Sequence, residues 1–217
     1  MKLLPTGIAV LENDSHISKW VEESGRLDHD RYALPIILQH IHEGDVVVDG
    51  GAFIGDHTRA YLDAVGRTGK VYAFEPNVVA FSCLVHNCPE AINFDLGLSD
   101  ACFETFLSLN ANAGASHLSQ NKGVLVKTMA LDDLELPRLD FLKLDVEGFE
   151  VSALKGAFKT IMAYRPAMWV EVNAGALERN RSSVQELKDY ISSTLKYQFS
   201  GYPENYGEQY DLLCLPL

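Results

Sequence analysis

The sequence predicts an α/β fold: a Rossmann-like, seven-strand, mostly parallel sheet with helices on both faces and an antiparallel last strand. Three observations carry this. The run Val46-Val47-Val48-Asp49-Gly50-Gly51-Ala52-Phe53-Ile54-Gly55 reads as a buried strand, a glycine-rich turn and the start of a helix. Strand-like and helix-like patterns then alternate along the chain. The two final strand-like segments, 197–202 and 210–216, are joined by the turn-rich Pro203-Glu204-Asn205-Tyr206-Gly207. That link is too short for a parallel crossover, so they pair antiparallel.

Taken in order, residues 1–28 read as an irregular or short-stranded lead-in, amphipathic around Ile17 to Val21, and residues 29–217 as a single domain. Leu34, Ile37, Leu38 and Ile41 have helical spacing within 29–42, and Pro35 is tolerable near the start. Gly44-Asp45 ends that helix before the strand 46–49. A crossover helix over 56–65 and the turn Gly66-Arg67-Thr68-Gly69 lead to a second strand, Lys70-Val71-Tyr72-Ala73-Phe74-Glu75-Pro76. A helix over 77–87 should face inward with Val78, Phe81, Leu84 and Val85. A third strand covers 93–98, and extra strands cover 103–109 and 124–129. Core strands follow at 139–145 and 168–172, with one helix over 150–163 between them. Ser183-x-x-Glu186 is a capping box opening a helix with the stripe Val184, Leu187, Ile191 and Leu195.

With 217 residues the chain can bury one sizeable core. A formal charge of −12 argues against non-specific nucleic-acid binding and against an anionic membrane surface, both of which need a basic field. Cys83, Cys88, Cys102 and Cys214 lack metal-site spacing and read as reduced residues of an intracellular protein. With no long apolar run and no signal-like start, a cytoplasmic location is expected.

The chemistry lies at the strand ends. A dinucleotide turn would read G-x-G-x-x-G, with backbone donors facing pyrophosphate. Here Asp49-x-Gly51-x-x-x-Gly55 carries a carboxylate, which repels phosphate and attracts a cation. S-adenosylmethionine suits such a site, having an adenosine, no phosphate, a sulfonium and an ammonium. Glu75, twenty positions beyond Gly55, has the place of a ribose-binding acid, although it could instead merely cap the next helix. Asp145, Glu147 and Glu171 lie at further strand ends. Five carboxylates on one rim repel one another unless a cation, protons or hydrogen-bond donors compensate them. Candidate bases for deprotonating an acceptor are Asp145 and Glu171, then His57 and His117, the latter next to a lid-like loop over 112–116. Asp145 and Glu171, with Asn173 nearby, could form an oxygen site for a hard cation. The spacing does not demand one, and no metal is assigned.

On these residues the chain resembles the FkbM-type family of S-adenosylmethionine-dependent methyltransferases, from about Tyr32 to Pro216. The blocks that carry the resemblance are Val48-Asp49-Gly50-Gly51-Ala52-Phe53-Ile54-Gly55, Tyr72-Ala73-Phe74-Glu75-Pro76-Asn77, Gly97-Leu98-Ser99-Asp100 and Leu131-Asp132-Asp133-Leu134. They continue with Leu142-Lys143-Leu144-Asp145-Val146-Glu147-Gly148-Phe149-Glu150, Leu154-Lys155-Gly156-Ala157, and Arg165-Pro166 leading to Glu171. Gly50 stands where the family commonly has valine or isoleucine. The resemblance implies the class I methyltransferase fold. It also implies that Asp49, Gly51 and Gly55 surround the methionine part of the cofactor, that Glu75 binds the ribose hydroxyls, and that Asn77 lies beside the sugar and base. Leu98, Ser99 and Asp100 would flank the adenine, Asp145 would lie by the methyl donor, and Glu147 and Glu171 would face the acceptor.

The resulting expectation is methylation of a hydroxyl on a small-molecule or glycosidic acceptor. Two alternatives remain: a non-catalytic cofactor-binding or assembly module, and a nicotinamide-dependent oxidoreductase, which the missing third glycine and Asp49 disfavour. The lead-in could cover the acceptor pocket or mediate contacts in a homodimer.

Overall fold

The computed structural model describes the chain except for residues 13, 29, 109–116, 120–122 and 204–208 and the side chains of 117–119 and 203. The expected lid over 112–116 and the His117 side chain therefore lie outside the described residues.

Strands β1 (Lys2–Leu3) and β2 (Ala9–Val10) form an antiparallel ribbon, followed by helix α1 (Ile17–Ser24). Helix α2 (Ala33–Ile37) runs into a 3-10 turn, Leu38–His40. The helix expected over 29–42 is thus shorter at both ends. The Asp30 carboxylate accepts the N–H groups of Tyr32 and Ala33 at 2.9 and 2.8 Å and opens the helix there, and the backbone is extended again at Ile41.

Next come β3 (Val46–Gly50), α3 (Asp56–Val65), β4 (Lys70–Phe74) and α4 (Val78–Asn87). Helix α3 has its expected bounds, set by glycines at both ends, Gly55 and Gly66. Helix α4 buries Ala80, Cys83 and Leu84 and leaves Val78 and Val85 exposed, a correction to the expected inward face. The expected third strand is two: β5 (Ile92–Phe94) pairs with β4, whereas β6 (Leu96–Leu98) joins a separate sheet. That sheet contains β7 (Glu104–Ser108), β8 (His117–Ser119) and β9 (Val124–Met129) in the order β6-β9-β7-β8.

After β10 (Phe141–Leu144), the expected single helix over 150–163 is broken at Ala157 into α5 (Glu150–Gly156) and α6 (Phe158–Tyr164). Strand β11 (Ala167–Asn173), α7 (Ala174–Arg179) and α8 (Val184–Asp189), which continues as a π-helical turn, complete the crossovers. Ser183 caps α8 by accepting the Glu186 N–H at 3.1 Å, and Leu187, Ile191 and Leu195 are fully buried as the stripe predicts. Strands β12 (Tyr197–Pro203) and β13 (Gln209–Pro216) form the terminal hairpin.

The main sheet has seven strands in the order β12-β13-β11-β10-β3-β4-β5, with β13 antiparallel to both neighbours. Its apolar residues divide by strand alternation. Val48, Leu142, Leu144, Val170 and Val172 pack in one core, and Val47, Phe141 and Trp169 in another with Ile37, Tyr61 and Val65. Both faces are covered, which is why β3 and β10 read as continuous apolar runs. Among the described residues no helix is long and apolar enough to cross a membrane.

The lead-in packs onto the glycine turn. Leu4, Ala9, Val10, Leu11 and Val21 share a core with Phe53, Ile54, Ala80 and Cys83. Asn87 ties the two together: its amide accepts from the N–H of Ala9 and donates to the carbonyls of Ala9 and Ile54, at 2.7–2.8 Å.

Candidate active site

The carboxyl ends of β3, β4, β10 and β11 lie side by side, the place where parallel α/β sheets bind ligands. The turn after β3 is held against β10. Gly51 has φ +79°, and a Cβ there would collide with the Asp145 carbonyl oxygen, so only glycine allows the two segments to meet. Gly55, with φ +91°, allows a similar approach to Cys88 and forms the N-cap of α3. At Gly50 a side chain would press on Leu98 and Leu144, at 2.9 and 3.0 Å. Those two leucines fill the space that a larger residue would need.

Asp49 is fully buried at the end of β3. The hydroxyl of Thr58 donates to its Oδ2 at 2.7 Å, and its Oδ1 has no hydrogen bond. Beside it lies Lys143, whose Nζ is 3.6 Å from Asp49 and 3.3 Å from Asp145 and donates to the Gly51 carbonyl at 2.9 Å. Parallel pairing sets Lys143 opposite Asp49 on the neighbouring strand. Burial would lower the Lys143 ammonium, but the charges of Asp145 and Asp49 hold it above its ordinary value. Its role is not read from the sequence, although a single lysine inside the apolar strand Phe141–Leu144 is a visible signal.

Glu75 is buried at the end of β4, and each of its oxygens accepts a backbone N–H: Oε2 from Phe53 at 2.9 Å and Oε1 from Asn77 at 2.7 Å. Burial nevertheless pushes the carboxyl up to about 7. The cap of α4 is Asn77, whose Oδ1 accepts from Val79 and Ala80. Leu98 and Ser99 are buried and Asp100 is exposed. Ser99 donates its N–H to the Met129 carbonyl at 2.9 Å and its hydroxyl to Asp100 at 3.2 Å. Gly156 of α5 lies directly on the Ser99 carbonyl, where a Cβ would not fit. This explains the glycine in the block 154–157.

The acceptor-side carboxylates come from two strand ends. Asp145, Glu147 and Glu171 each place one carboxylate oxygen within 4.8 Å of the others. Glu147 has φ +53° and is followed by Gly148 at φ +98°, so the loop turns back sharply enough to bring Glu147 to Asp145. A non-glycine residue in this left-handed region costs about 1–2 kcal/mol. Glu150 shapes the loop: its Oε1 accepts the N–H groups of Val146 and Gly148, at 3.1 and 3.0 Å. Glu171 is buried; its Oε1 accepts from the side chain of Gln209 on β13, and its Oε2 has no partner. Burial raises its carboxyl well above the usual range, and Asp145, Glu147, Glu150 and Asp211 raise it further. Burial and the charge of Asp145 likewise raise Glu147. Asn173 uses its Oδ1 to cap α7, accepting from the Ala176 N–H at 3.1 Å.

His57 lies in the first turn of α3. Its Nε2 lies 3.2 Å from Asp30 and its Nδ1 3.1 Å from the Tyr61 hydroxyl, so it ties the segment before α2 to α3. Burial would raise the Asp30 carboxyl, but the hydrogen bond and charge of His57 hold it well below the usual range. The metal-type cluster that contains Asp145 and Glu171 does not include His57.

These features fit S-adenosylmethionine on the chain's own chemistry. A buried acid with two fixed donors faces the β3 turn, Asp49 has an oxygen without a hydrogen bond, and Gly51 leaves the turn free of side chain.

Comparison with known proteins agrees. A family model described as Methyltransferase FkbM domain matches residues 49–206. The chain is 32% identical over 170 residues to the hexuronic acid methyltransferase AglP of Haloferax volcanii, covering 71% of this chain and 68% of that protein. Among solved structures, methyltransferase FkbM from Methylobacillus flagellatus superposes with a TM-score of 0.62 at 17% identity. The match covers 87% of this chain and 48% of that one, so the chain spans about half its length. An S-adenosylmethionine-dependent O-methyltransferase from Thermotoga maritima gives a TM-score of 0.53 at 13% identity, covering 91% of this chain and 69% of that one. At these identities the structural likeness shows the fold.

Proposed function

The chain belongs to the FkbM methyltransferase family and is an S-adenosylmethionine-dependent methyltransferase, and from that premise we propose that it methylates an oxygen of a sugar or sugar acid, through residues on the two halves of the rim. The observation that carries this is the contact of Gly51 with Asp145, which brings the β3 turn and the acidic cluster onto one floor. The relative of known name acts on a hexuronic acid, and an acceptor rich in hydroxyls suits three clustered carboxylates.

In this reading Glu75 accepts the ribose hydroxyls, Asp49, Gly51 and Gly55 surround the methionine part, and Leu98, Ser99 and Asp100 border the adenine. Asn77 contributes by fixing the direction of α4 and donating its N–H to Glu75. Bound there, the cofactor supplies a methyl group already activated by its sulfonium. The Lys143 ammonium lies between Asp49 and Asp145. Asp145, Glu147 and Glu171 hold the acceptor by its hydroxyls. Asp145 or Glu171 would take the proton of the acceptor hydroxyl. Orientation of the two reactants supplies much of the acceleration.

The test pairs calorimetric titration of S-adenosylmethionine with transfer of labelled methyl to a panel of hexoses and hexuronic acids, free and glycosidic. Micromolar binding that Glu75→Ala weakens, with label appearing in a sugar, is the expected result. Folded protein that binds the cofactor but labels none of the panel would overturn the acceptor class.

A further inference from the structure

We propose that Asp145, Glu147 and Glu171 bind one divalent hard cation, of the Mg²⁺, Mn²⁺ or Ca²⁺ type, at the ends of β10 and β11. The first observation is geometric. Oxygens that share one hard cation lie about 2.0–2.6 Å from it, so any two of them are no more than about 5 Å apart. The three carboxylates meet that limit, with one oxygen of each within 4.8 Å of the others.

The second observation is the buried Glu171 side chain. Gln209 takes up Oε1, while Oε2 is sealed from solvent without a hydrogen-bond partner. An unpartnered oxygen of this kind costs free energy unless something occupies its lone pairs. The local charges point the same way. Asp145, Glu147, Glu150 and Asp211 all bear on Glu171. Lys143 is shared among Asp49, Asp145 and the Gly51 carbonyl, and Arg179 acts on Glu147. Among the described residues, Lys143 and Arg179 thus bear on a rim of six carboxyl groups, counting Asp49.

The donor set fixes the class of ion. It contains carboxylate oxygen only, with no imidazole or thiolate, which favours a hard cation over zinc or copper. At least three further positions would remain for water or acceptor oxygens. A cation there would also let this anionic rim accept an anionic sugar acid. That last role rests on the acceptor side proposed above; the binding of the ion does not.

The experiment titrates metal-stripped protein with Mn²⁺ alone, following free Mn²⁺ by electron paramagnetic resonance. The expected result is one Mn²⁺ per chain, saturating below about 1 mM, displaced by Mg²⁺, and weakened at least about tenfold by Glu171→Gln and by Glu147→Gln. Glu147 is partly exposed in a loop, so its variant reports even where Glu171→Gln fails to fold. No saturable binding by folded protein up to about 5 mM, or binding that both variants leave unchanged, overturns the proposal. S-adenosylhomocysteine is titrated in the same preparation. Its binding without that of Mn²⁺ overturns the cation alone, and Mn²⁺ without S-adenosylhomocysteine leaves the cation standing and counts against the cofactor pocket.

Discussion

The two halves of the rim use the same residue types to different ends. On the β3–β4 half, the Glu75 carboxylate is held at both oxygens by backbone N–H groups, and Asp49 has a hydroxyl donor and a nearby ammonium. On the β10–β11 half, Glu171 keeps a buried oxygen without a partner and Glu147 is held in a left-handed conformation. The first half fixes its carboxylates with several donors, leaves one Asp49 oxygen without a hydrogen bond, and is set for a ligand that donates hydroxyls. The second crowds carboxyl groups whose mutual repulsion a proton, a ligand or a cation relieves. Preorganisation on one side and unsatisfied charge on the other is the arrangement expected where a fixed cofactor meets a variable acceptor.

Lys143 bridges the halves, so removing it should have the largest effect. Lys143→Met leaves Asp49 and Asp145 without their shared ammonium and should cost about 3–5 kcal/mol of stability, read from urea unfolding. Adding Asp49→Asn should recover part of that loss. A cost below about 1 kcal/mol would mean that the two carboxylates do not need Lys143, and the rim would not be one electrostatic unit.

The glycines separate the halves. Gly51→Ala forces a positive φ on alanine and drives a Cβ into the Asp145 carbonyl, and Gly148→Ala does the same against Ala176. Each should lose about 2–4 kcal/mol. Binding of S-adenosylhomocysteine should fall more than about tenfold in Gly51→Ala and stay within about threefold in Gly148→Ala. Equal losses of affinity would dissolve the distinction between the two sides.

How much of this the sequence showed depends on the range of the interactions. Helix α3 and the terminal hairpin were legible from local sequence, Gly55 and Gly66 in one case and the short, turn-rich composition of 203–207 between two strand-like runs in the other. The inward face of α4 was not. Val78-Val79-Ala80-Phe81-Ser82-Cys83-Leu84-Val85 is apolar nearly all round, so periodicity cannot choose a side. The split of β5 from β6 depends on β9, some thirty residues away. The sequence placed the acidic residues on one rim and set Asp145 with Glu171, but it did not show how closely Glu147 joins them. The proximity of Glu147 to Glu171 needs the turn at Glu147-Gly148, and the role of Lys143 needs the register of β10 on β3. His57 could be singled out by its nearness to the glycine turn, but its partners Asp30 and Tyr61 are set by the packing of the segment before α2 on α3 and are not legible in the sequence.

A smaller effect probes the β3–β4 half directly. Glu75→Gln keeps the size of the side chain but removes the charge that the ribose hydroxyls would meet. Hydrogen bonds to charged groups are worth about 1.5–3 kcal/mol, so affinity for S-adenosylhomocysteine should fall about 10–100-fold at pH 8. The same change made at Glu147 should leave that affinity within about threefold if the halves are distinct.

The smallest effect is the pH dependence of the same binding, and its sign follows from Glu75. Burial lifts this carboxyl from 4.5 to about 7. A carboxyl raised in the folded state holds a proton that the unfolded chain has already released. Its contribution to the stability of the free protein is therefore present at low pH and is lost as pH rises toward 7. Cofactor binding runs the other way, because hydroxyls donate to the ionised form. Below pH 7 a proton must leave first, so affinity should be about tenfold weaker at pH 6 than at pH 8. About one proton should be released per ligand bound at pH 6, visible as a buffer-dependent calorimetric enthalpy. Glu147 and Glu150 also have raised carboxyls, so the wild-type curve alone does not isolate Glu75. The difference between wild type and Glu75→Gln does: the variant should lose the tenfold slope. If both proteins keep the same slope, the titrating group belongs to the β10–β11 half, and that half, rather than Glu75, governs how the cofactor is held.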